Sequence, residues 1–426
     1  MKILMVIDQF YAANNGMTIS ARRFAEVLRQ HGHAVRIAST GKPEQLSEGE
    51  TAYLMEKQYI PVFDKLVSSQ GMTFAKTDEK LMEEGIAWAD IVHFLVPFAL
   101  THHGLKIAER MHKPFTAAFH VQPENVSSSI HLGKVDFVNA GIYHWFHYYV
   151  YKNCEHIHCP SQFIADELRK HGYTGQLHVI SNGIDPDFVY RKLPKDASLA
   201  GKFVILMVGR LSIEKRQDVL IGAVAKSRHR DEIQLVLAGK GPRQEALEKQ
   251  ADQLGLSVRF GFYPKPQLLD LIAMSDLYVH AADMEIEAMS CMEAFAGGLV
   301  PIIANSPKSA TPQFAIDSRS LFEAGNSSDL ADHIDYWFEH PEERQQMEHA
   351  YAELAKQYNL EQCVRQAEAM FEQAIAENKE NAQPARQRRY ERRRHPPRPA
   401  GRRRGPGLPD GIRRRTRLPY VGTVEI

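Results

Sequence analysis

Apolar and polar positions along this chain fall into blocks, and the blocks repeat one unit. A near-continuous apolar run, KILMVI at 2–7, leads into a polar loop, YAANNGMT, and then into ISARRFAEVLRQHG, where apolar residues recur every three or four positions. The first pattern is that of a strand buried on both faces; the third is an amphipathic helix. HAVRIAS, DIVHFLV and FTAAFH predict further strands, and HIHCPS is followed by the helix QFIADELRKHG and the strand LHVIS. IDPDFVYRKLPKDASLAG, with its Pro and Gly, then interrupts the pattern. The unit restarts with KFVILMVGR, the helix RQDVLIGAVAKSR and the strand IQLVLAG, and continues through EALEKQADQLG, VRFGF, LLDLIAMS, DLYVHAA and VPIIA. Strands alternating with helices predict parallel sheets covered on both faces. The expected class is therefore α/β, with two doubly wound domains facing a central cleft. The boundaries read as 1–184, a linker at 185–198, a second domain at 199–345, helices at 346–383 and a tail at 384–426. Ligands of such sheets bind outside the carboxyl ends of the strands.

Two apolar segments carry extra signals. IYHWFHYYVYK at 142–152 has aromatics almost all round a helix. That predicts a helix largely buried in the first domain, with a membrane-surface or acceptor helix as the sharper alternative. CEHIHC at 154–159 has the residue types of a metal site. In a strand, Cys159 would lie on the opposite face from Cys154, His156 and His158, so a tetrahedral cluster is not expected and a buried strand is.

Composition adds compartment and tail. With 426 residues, 44% hydrophobic and 24% charged, the chain reads as a soluble globular protein. Four cysteines are too few for a disulfide scaffold at this length. The N-terminus lacks the length and cleavage site of a signal peptide, and no apolar run would span a bilayer. A cytoplasmic location is expected, with any membrane contact peripheral, on the inner face. The formal net charge of zero hides an asymmetry, because residues 384–426 hold 14 Arg against Glu391, Asp410 and Glu425. This Arg, Pro and Gly tail cannot bury a core and is expected to be disordered. It reads either as an unselected segment or as an arm for nucleic acid or an anionic membrane.

The candidate chemistry lies at strand ends. In VGRLSIEK, Arg210 and Lys215 follow a strand, a placement that suits a diphosphate. AGKGP follows the next strand, and Gly239 and Gly241 would let backbone approach a ligand closely. ADMEIEAMSCMEAFAGG at 282–298 places three carboxylates in an Ala- and Met-rich run. Counting back from Gly297, its helix starts near Glu287 or Ala288. Glu285 then lies in the loop before it and Glu293 about two turns in. Carboxylates beside a phosphate site suit the vicinal hydroxyls of a ribose or hexose.

In combination, these segments resemble glycosyltransferase family 4, the retaining enzymes of the GT-B fold, over about residues 1–380. The resemblance rests on SNGID at 181–185, VGRLSIEK, AGKGP, the E-x7-E pair Glu285 and Glu293, and GGLVPIIA at 297–304. It implies two Rossmann-like domains and transfer of a hexose from a nucleotide-diphosphate sugar, with a UDP-sugar the expected donor and no metal required. Arg210 and Lys215 resemble the pair that neutralises the donor diphosphate, Glu293 the ribose carboxylate, and Glu285 the carboxylate that contacts the sugar. The backbone at Ala288 and Met289 would face sugar and phosphate. Gly16, in NNGMT, would line the cleft, and His120 resembles a histidine near the transferred sugar. The family's common Phe-Gly after the first Glu is here Glu287-Ala288, which suggests a subfamily with its own donor or acceptor preference. The acceptor is expected to be a glycan precursor or a membrane lipid such as diacylglycerol. A sugar-nucleotide epimerase of the same fold and a nucleic-acid-binding protein working through the tail are the alternative readings.

Overall fold

Fifteen strands organise the described residues: β1 (Lys2–Gln9), β2 (Ala34–Thr40), β3 (Ala52–Met55), β4 (Lys57–Gln58), β5 (Phe74–Ala75), β6 (Ile91–Phe94), β7 (Phe115–Ala118), β8 (His156–Cys159), β9 (Gln176–Val179), β10 (Phe203–Val208), β11 (Ile233–Ala238), β12 (Val258–Gly261), β13 (Leu277–His280), β14 (Pro301–Asn305) and β15 (Leu321–Glu323). Between them run helices α1 (Gly16–Gln30), α2 (Glu79–Trp88), α3 (Ala99–Arg110), α4 (Pro123–Ser128), α5 (Asp136–Tyr149), α6 (Gln162–Lys170), α7 (Gln217–Lys226), α8 (Gln244–Gln253), α9 (Lys265–Met274), α10 (Met289–Ala296), α11 (Ser327–Glu339), α12 (Pro341–Ala355) and α13 (Leu360–Arg394). The structure is a computed structural model that describes residues 1–11, 16–59, 73–128, 133 and 135–394, with backbone alone from 382. Met1–Lys379 form one compact unit, and the chain from Glu380 on clusters separately.

Two parallel sheets carry the fold. One has the order β3-β2-β1-β6-β7-β8-β9 and the other β12-β11-β10-β13-β14-β15; β4 and β5 form a separate antiparallel pair. Their central strands are mostly apolar and almost wholly buried: seven of the eight residues of β1 and all six of β11 are buried. Helices cover both faces, so these strands have no polar side to present. Winding reverses between β1 and β6 in the first sheet and between β10 and β13 in the second. Each reversal opens a crevice at the carboxyl ends of the strands.

The last two helices divide between the sheets. Met347, Tyr351 and Ala355 of α12 pack into the second core beside Trp337. Val364, Met370 and Phe371 of α13 pack against Met5, Phe24 and Ile91 of the first. The chain therefore crosses between the sheets twice, and the two crossings are joined. Ile184 N–H donates to the Tyr358 carbonyl at 2.7 Å, and Ile184 bridges Asn359.

Several expectations need correction. Helix α1 starts at Gly16, three residues before the apolar pattern begins, because Gly16–Thr18, with one apolar side chain, are too short to carry a periodic signal. Helix α5 is not largely buried. Asn139, Tyr143 and Phe146 face the core, while Phe137, Trp145 and Tyr148 are 80%, 48% and 65% exposed along the opposite stripe. Helix α13 extends through residue 394, into the segment expected to be disordered. The run before Pro396 is rich in Ala, Glu, Gln and Arg, which are good helix formers whether or not they pack. The rest of the tail, 395–426, lies outside the described residues, as do Asn14 and Asn15 of NNGMT and four residues at 129–132.

Candidate active site

The second sheet's reversal point gathers most of the predicted residues. β10 ends at Val208, and the loop Gly209–Arg216 follows it; β13 ends at His280, and the loop to α10 follows that. Lys215 from the first loop and Glu285 from the second form an ion pair. His280 Nε2 lies 3.0 Å from the same Glu285 oxygen. Burial alone would push the Glu285 carboxyl up, but Lys215 and then His280 overcome it and hold the group at about 2. At neutral pH this is a buried carboxylate with a cation and an imidazole on one side.

The loops are locked beneath this pair. Gly209 N–H donates to the Ala238 carbonyl at 3.0 Å, and Leu211 N–H donates to Lys240 at 3.1 Å. A Cβ on Gly239 would sit 1.9 Å from the Gly209 carbonyl oxygen, and one on Gly241 would sit 2.2 Å from that of Leu211. Gly239 and Gly241 let the AGKGP loop close on the loop that carries Arg210 and Lys215. The Arg210 carbonyl accepts from Gln217 Nε2 at 2.8 Å, which fixes the loop's far side. Arg216, at φ +55, reaches Asp283 at 3.1 Å and so ties the β10 loop to the β13 loop.

Helix α10 begins where expected, with Met289 its first residue and Ala288 its cap at φ +66. That left-handed backbone is costly for a side chain with a Cβ. It falls where the resembled family commonly has Gly, so the backbone shape is kept and Ala288 bears the strain. Glu287 turns away from the Lys215 pair. It accepts from the Asn182 backbone N–H at 2.9 Å and from Asn182 Nδ2 at 2.6 Å, and burial pushes its carboxyl up to about 7. The carboxyl that stands in place of the family's common Phe thus serves a contact to the first crossing between the sheets.

Glu293 is not beside Lys215. It accepts from Arg23 Nη1 of α1 at 2.9 Å, and Arg23 Nε also pairs with Asp185 at 3.3 Å. Burial raises the Glu293 carboxyl and Arg23 opposes that rise. Gly16 starts α1 with open space beside its α-carbon, a place where backbone can meet a ligand. His120 follows β7 on the first sheet and packs edge-on against His158 at 5.1 Å between ring centres. Burial, then His158, lowers His120 to about 3, so the ring is neutral at pH 7. The sequence reading missed His280, Arg23 and Asn182 as partners. His280 sat in view as a strand-end residue of DLYVHAA; Arg23 carried no signal beyond a charge on a helix face.

Residues 14–188 match the family described as Glycosyltransferase Family 4, and residues 191–353 match Glycosyl transferases group 1. The chain is a GT-B glycosyltransferase of family 4, group 1. It is 27% identical over 346 residues to the GDP-mannose-dependent alpha-mannosyltransferase of Corynebacterium glutamicum, covering 79% of this chain and 78% of that protein. It is 25% identical over 328 residues to the alpha-monoglucosyldiacylglycerol synthase of Streptococcus pneumoniae, covering 72% and 71%. Among solved structures, Anabaena Alr3699/HepE in complex with UDP superposes with a TM-score of 0.68 at 19% identity, over 88% of this glycosyltransferase and all of that chain. The GT-B fold is thereby shown, and the protein is a transferase enzyme.

Two stability measurements test this site's construction. In chemical denaturation, Ala288→Gly should stabilise the glycosyltransferase by about 1 kcal/mol, and Gly239→Ala should destabilise it by about 3 kcal/mol. Equal midpoints for both variants and wild type would contradict the backbone assignment. Glu287 has a folded-state pKa above its unfolded value, so its ionisation opposes folding. Relative to Glu287→Gln, wild-type stability should fall as pH rises from about 4.5 to 7 and level off above, by up to about 3 kcal/mol. A pH-independent difference between the two would show that Glu287 is already ionised in the fold.

Proposed function

We propose that this glycosyltransferase moves a hexose, with retention of configuration, from a nucleotide-diphosphate sugar to a hydroxyl of an acceptor at a membrane surface. The Lys215–Glu285–His280 cluster at the β10/β13 reversal carries the reading. Its cation pairs with Glu285 in the loop that leads into α10, and a cation and a helix N-terminus both favour a diphosphate. Arrival of that diphosphate competes for Lys215 and leaves Glu285 to accept hydrogen bonds from sugar hydroxyls. Glu293 would exchange Arg23 for the ribose hydroxyls in the same way. The structure of a relative-fold protein with UDP supports a UDP-sugar as donor, while the curated mannosyltransferase relatives point to GDP-mannose as the competing donor.

In the transfer step, the bond from the anomeric carbon to the diphosphate oxygen breaks as the acceptor oxygen bonds to that carbon on the same face. The acceptor proton passes to the departing phosphate oxygen. Negative charge grows on the leaving group, where Arg210, Lys215 and the α10 amides stabilise it without reorganising. A neutral His120 can hold a sugar hydroxyl without adding charge opposite Lys215. No metal is assigned to the step.

The acceptor side is read from α5. Among the described residues no helix is long and apolar enough to cross a membrane. The exposed Phe137, Trp145 and Tyr148 stripe instead suits insertion at headgroup depth. Lys152 lies over the Tyr148 ring at 3.9 Å and adds a cation to the stripe's end for anionic lipid. The named synthase relative supports a diacylglycerol acceptor.

Lys215→Ala and Glu293→Ala should each lower acceptor-dependent transfer by at least about 100-fold, measured as nucleotide release with diacylglycerol vesicles. Near-wild-type rates in both would remove the site assignment, and nucleotide-sugar conversion without acceptor would favour an epimerase. A double substitution, Trp145→Ala with Tyr148→Ala, should lower binding to anionic vesicles in a flotation assay by about tenfold while leaving nucleotide binding intact, since rings at the interface contribute on the order of 1 kcal/mol each. Unchanged flotation would place the membrane contact elsewhere.

A further inference from the structure

The CEHIHC segment builds something other than a Cys/His cluster. Cys154 Sγ turns to the Val150 carbonyl at 3.4 Å and Cys159 is buried on the other side of β8, and burial raises both thiols out of the range of a ready thiolate. His156, only 2% exposed, points instead at α13, where its Nε2 lies 3.1 Å from Glu377 Oε2. The neighbouring Glu155 is exposed. One donor atom each from Glu155, His156 and Glu377 lies within 4.8 Å of the others.

From this geometry we propose a binding site for a divalent transition-metal ion, Zn2+ in the first instance, held by Glu155, His156 and Glu377. An imidazole with two carboxylates is a mixed nitrogen and oxygen donor set whose charge balances a divalent ion. It suits Zn2+ better than Mg2+ or Ca2+, which prefer all-oxygen sites. In a tetrahedral site, zinc bonds of about 2.0–2.2 Å put ligand atoms about 3.4 Å apart. His156 and Glu377, 3.1 Å apart, already lie near that separation, and any wider gap to Glu155 has to close by up to about 1.4 Å, a movement the exposed Glu155 side chain can supply.

An outer shell is already present. His156 Nδ1 lies 3.0 Å from His178 Nε2 on β9, so His156 can donate its second ring proton there while Nε2 binds metal. In the metal-free form the pair can hold the opposite tautomers, with His178 Nε2–H donating to His156 and His156 Nε2–H donating to Glu377. The switch moves protons along the pair and changes neither ring's charge. Gln373 Nε2 donates to Glu377 Oε1 at 2.8 Å and Gln176 Nε2 donates to the same carboxylate at 3.2 Å, which holds it in place.

The site stands at the amino end of β8, away from the carboxyl ends that face the cleft. It joins β8 to α13, the helix that returns from the second sheet to pack on the first. A bound ion would clamp that return and raise stability without entering the transfer step.

Titration of the full-length, tag-free, metal-stripped protein with ZnCl2 tests this by calorimetry and thermal unfolding. Wild type should bind one ion in the micromolar range or tighter, with a rise in unfolding temperature. Glu155→Gln, at an exposed position, should keep the metal-free unfolding temperature and weaken binding at least tenfold; Glu377→Gln should do the same to binding. Co2+ in place of Zn2+ should give a visible absorption band that both variants lose. Absence of saturable binding overturns the proposal. So does unchanged binding in both variants, which would locate the ion among the chain's other histidines.

Discussion

The loops after β10 and β13 are arranged around a buried pair of opposite charges, Lys215 and Glu285. Neither charge would tolerate that burial alone, because an unpaired ion in a low-dielectric site costs several kcal/mol. The pair forms only if the loop after β10 and the loop after β13 meet at one height. That condition explains the bare backbones of Gly239 and Gly241 under the first loop and the Arg216–Asp283 contact between the two loops. It also explains His280, whose ring takes up the Glu285 oxygen that Lys215 already engages. A pair held this way is also an exchangeable one. In the proposed reaction a diphosphate would bring more negative charge to Lys215 than one carboxylate does, and a sugar would bring hydroxyls to the carboxylate so released.

A second set of polar contacts couples this site to the other sheet. Arg23 holds Glu293, Asn182 donates twice to Glu287, and Ser161 Oγ donates to the Ile286 carbonyl at 2.6 Å. Three consecutive positions of the E-x7-E segment, Glu285, Ile286 and Glu287, thus face three directions. The first faces the loop after β10 and the other two face the first sheet and its crossing. If a nucleotide sugar binds as proposed, it acts on the same short segment that joins the halves, so donor binding and domain closure would draw on shared contacts.

Much of this was legible in the sequence, for identifiable reasons. Buried parallel strands leave long apolar runs, so β1, β10 and β11 stand out; β3 and β15, short strands at sheet edges, do not. The E-x7-E spacing and the positions of Arg210 and Lys215 stand out in the sequence because each lies within one loop or one helix; the Lys215–Glu285 pair, 70 residues apart, does not. The partners of Glu293 and Glu287 lie 270 and 105 residues away in the chain, so no local pattern announces them. The aromatic ring of α5 misled for a related reason. Composition shows that a helix is apolar all round, but which stripe the core takes depends on where β7 and β8 stand. The same holds for His156, whose partner Glu377 comes from a helix on the far side of the second sheet in sequence order.

The most direct measurement is a thermal-shift screen of the wild-type protein and Glu293→Ala against UDP, GDP and ADP. A ligand that binds only the folded state raises its unfolding temperature by mass action. The account predicts a clear shift with one nucleoside diphosphate, UDP first among them, and loss of that shift in Glu293→Ala. A wild-type protein that shifts with none of the three, or a variant that shifts as wild type does, would contradict a nucleotide-sugar site built on these residues.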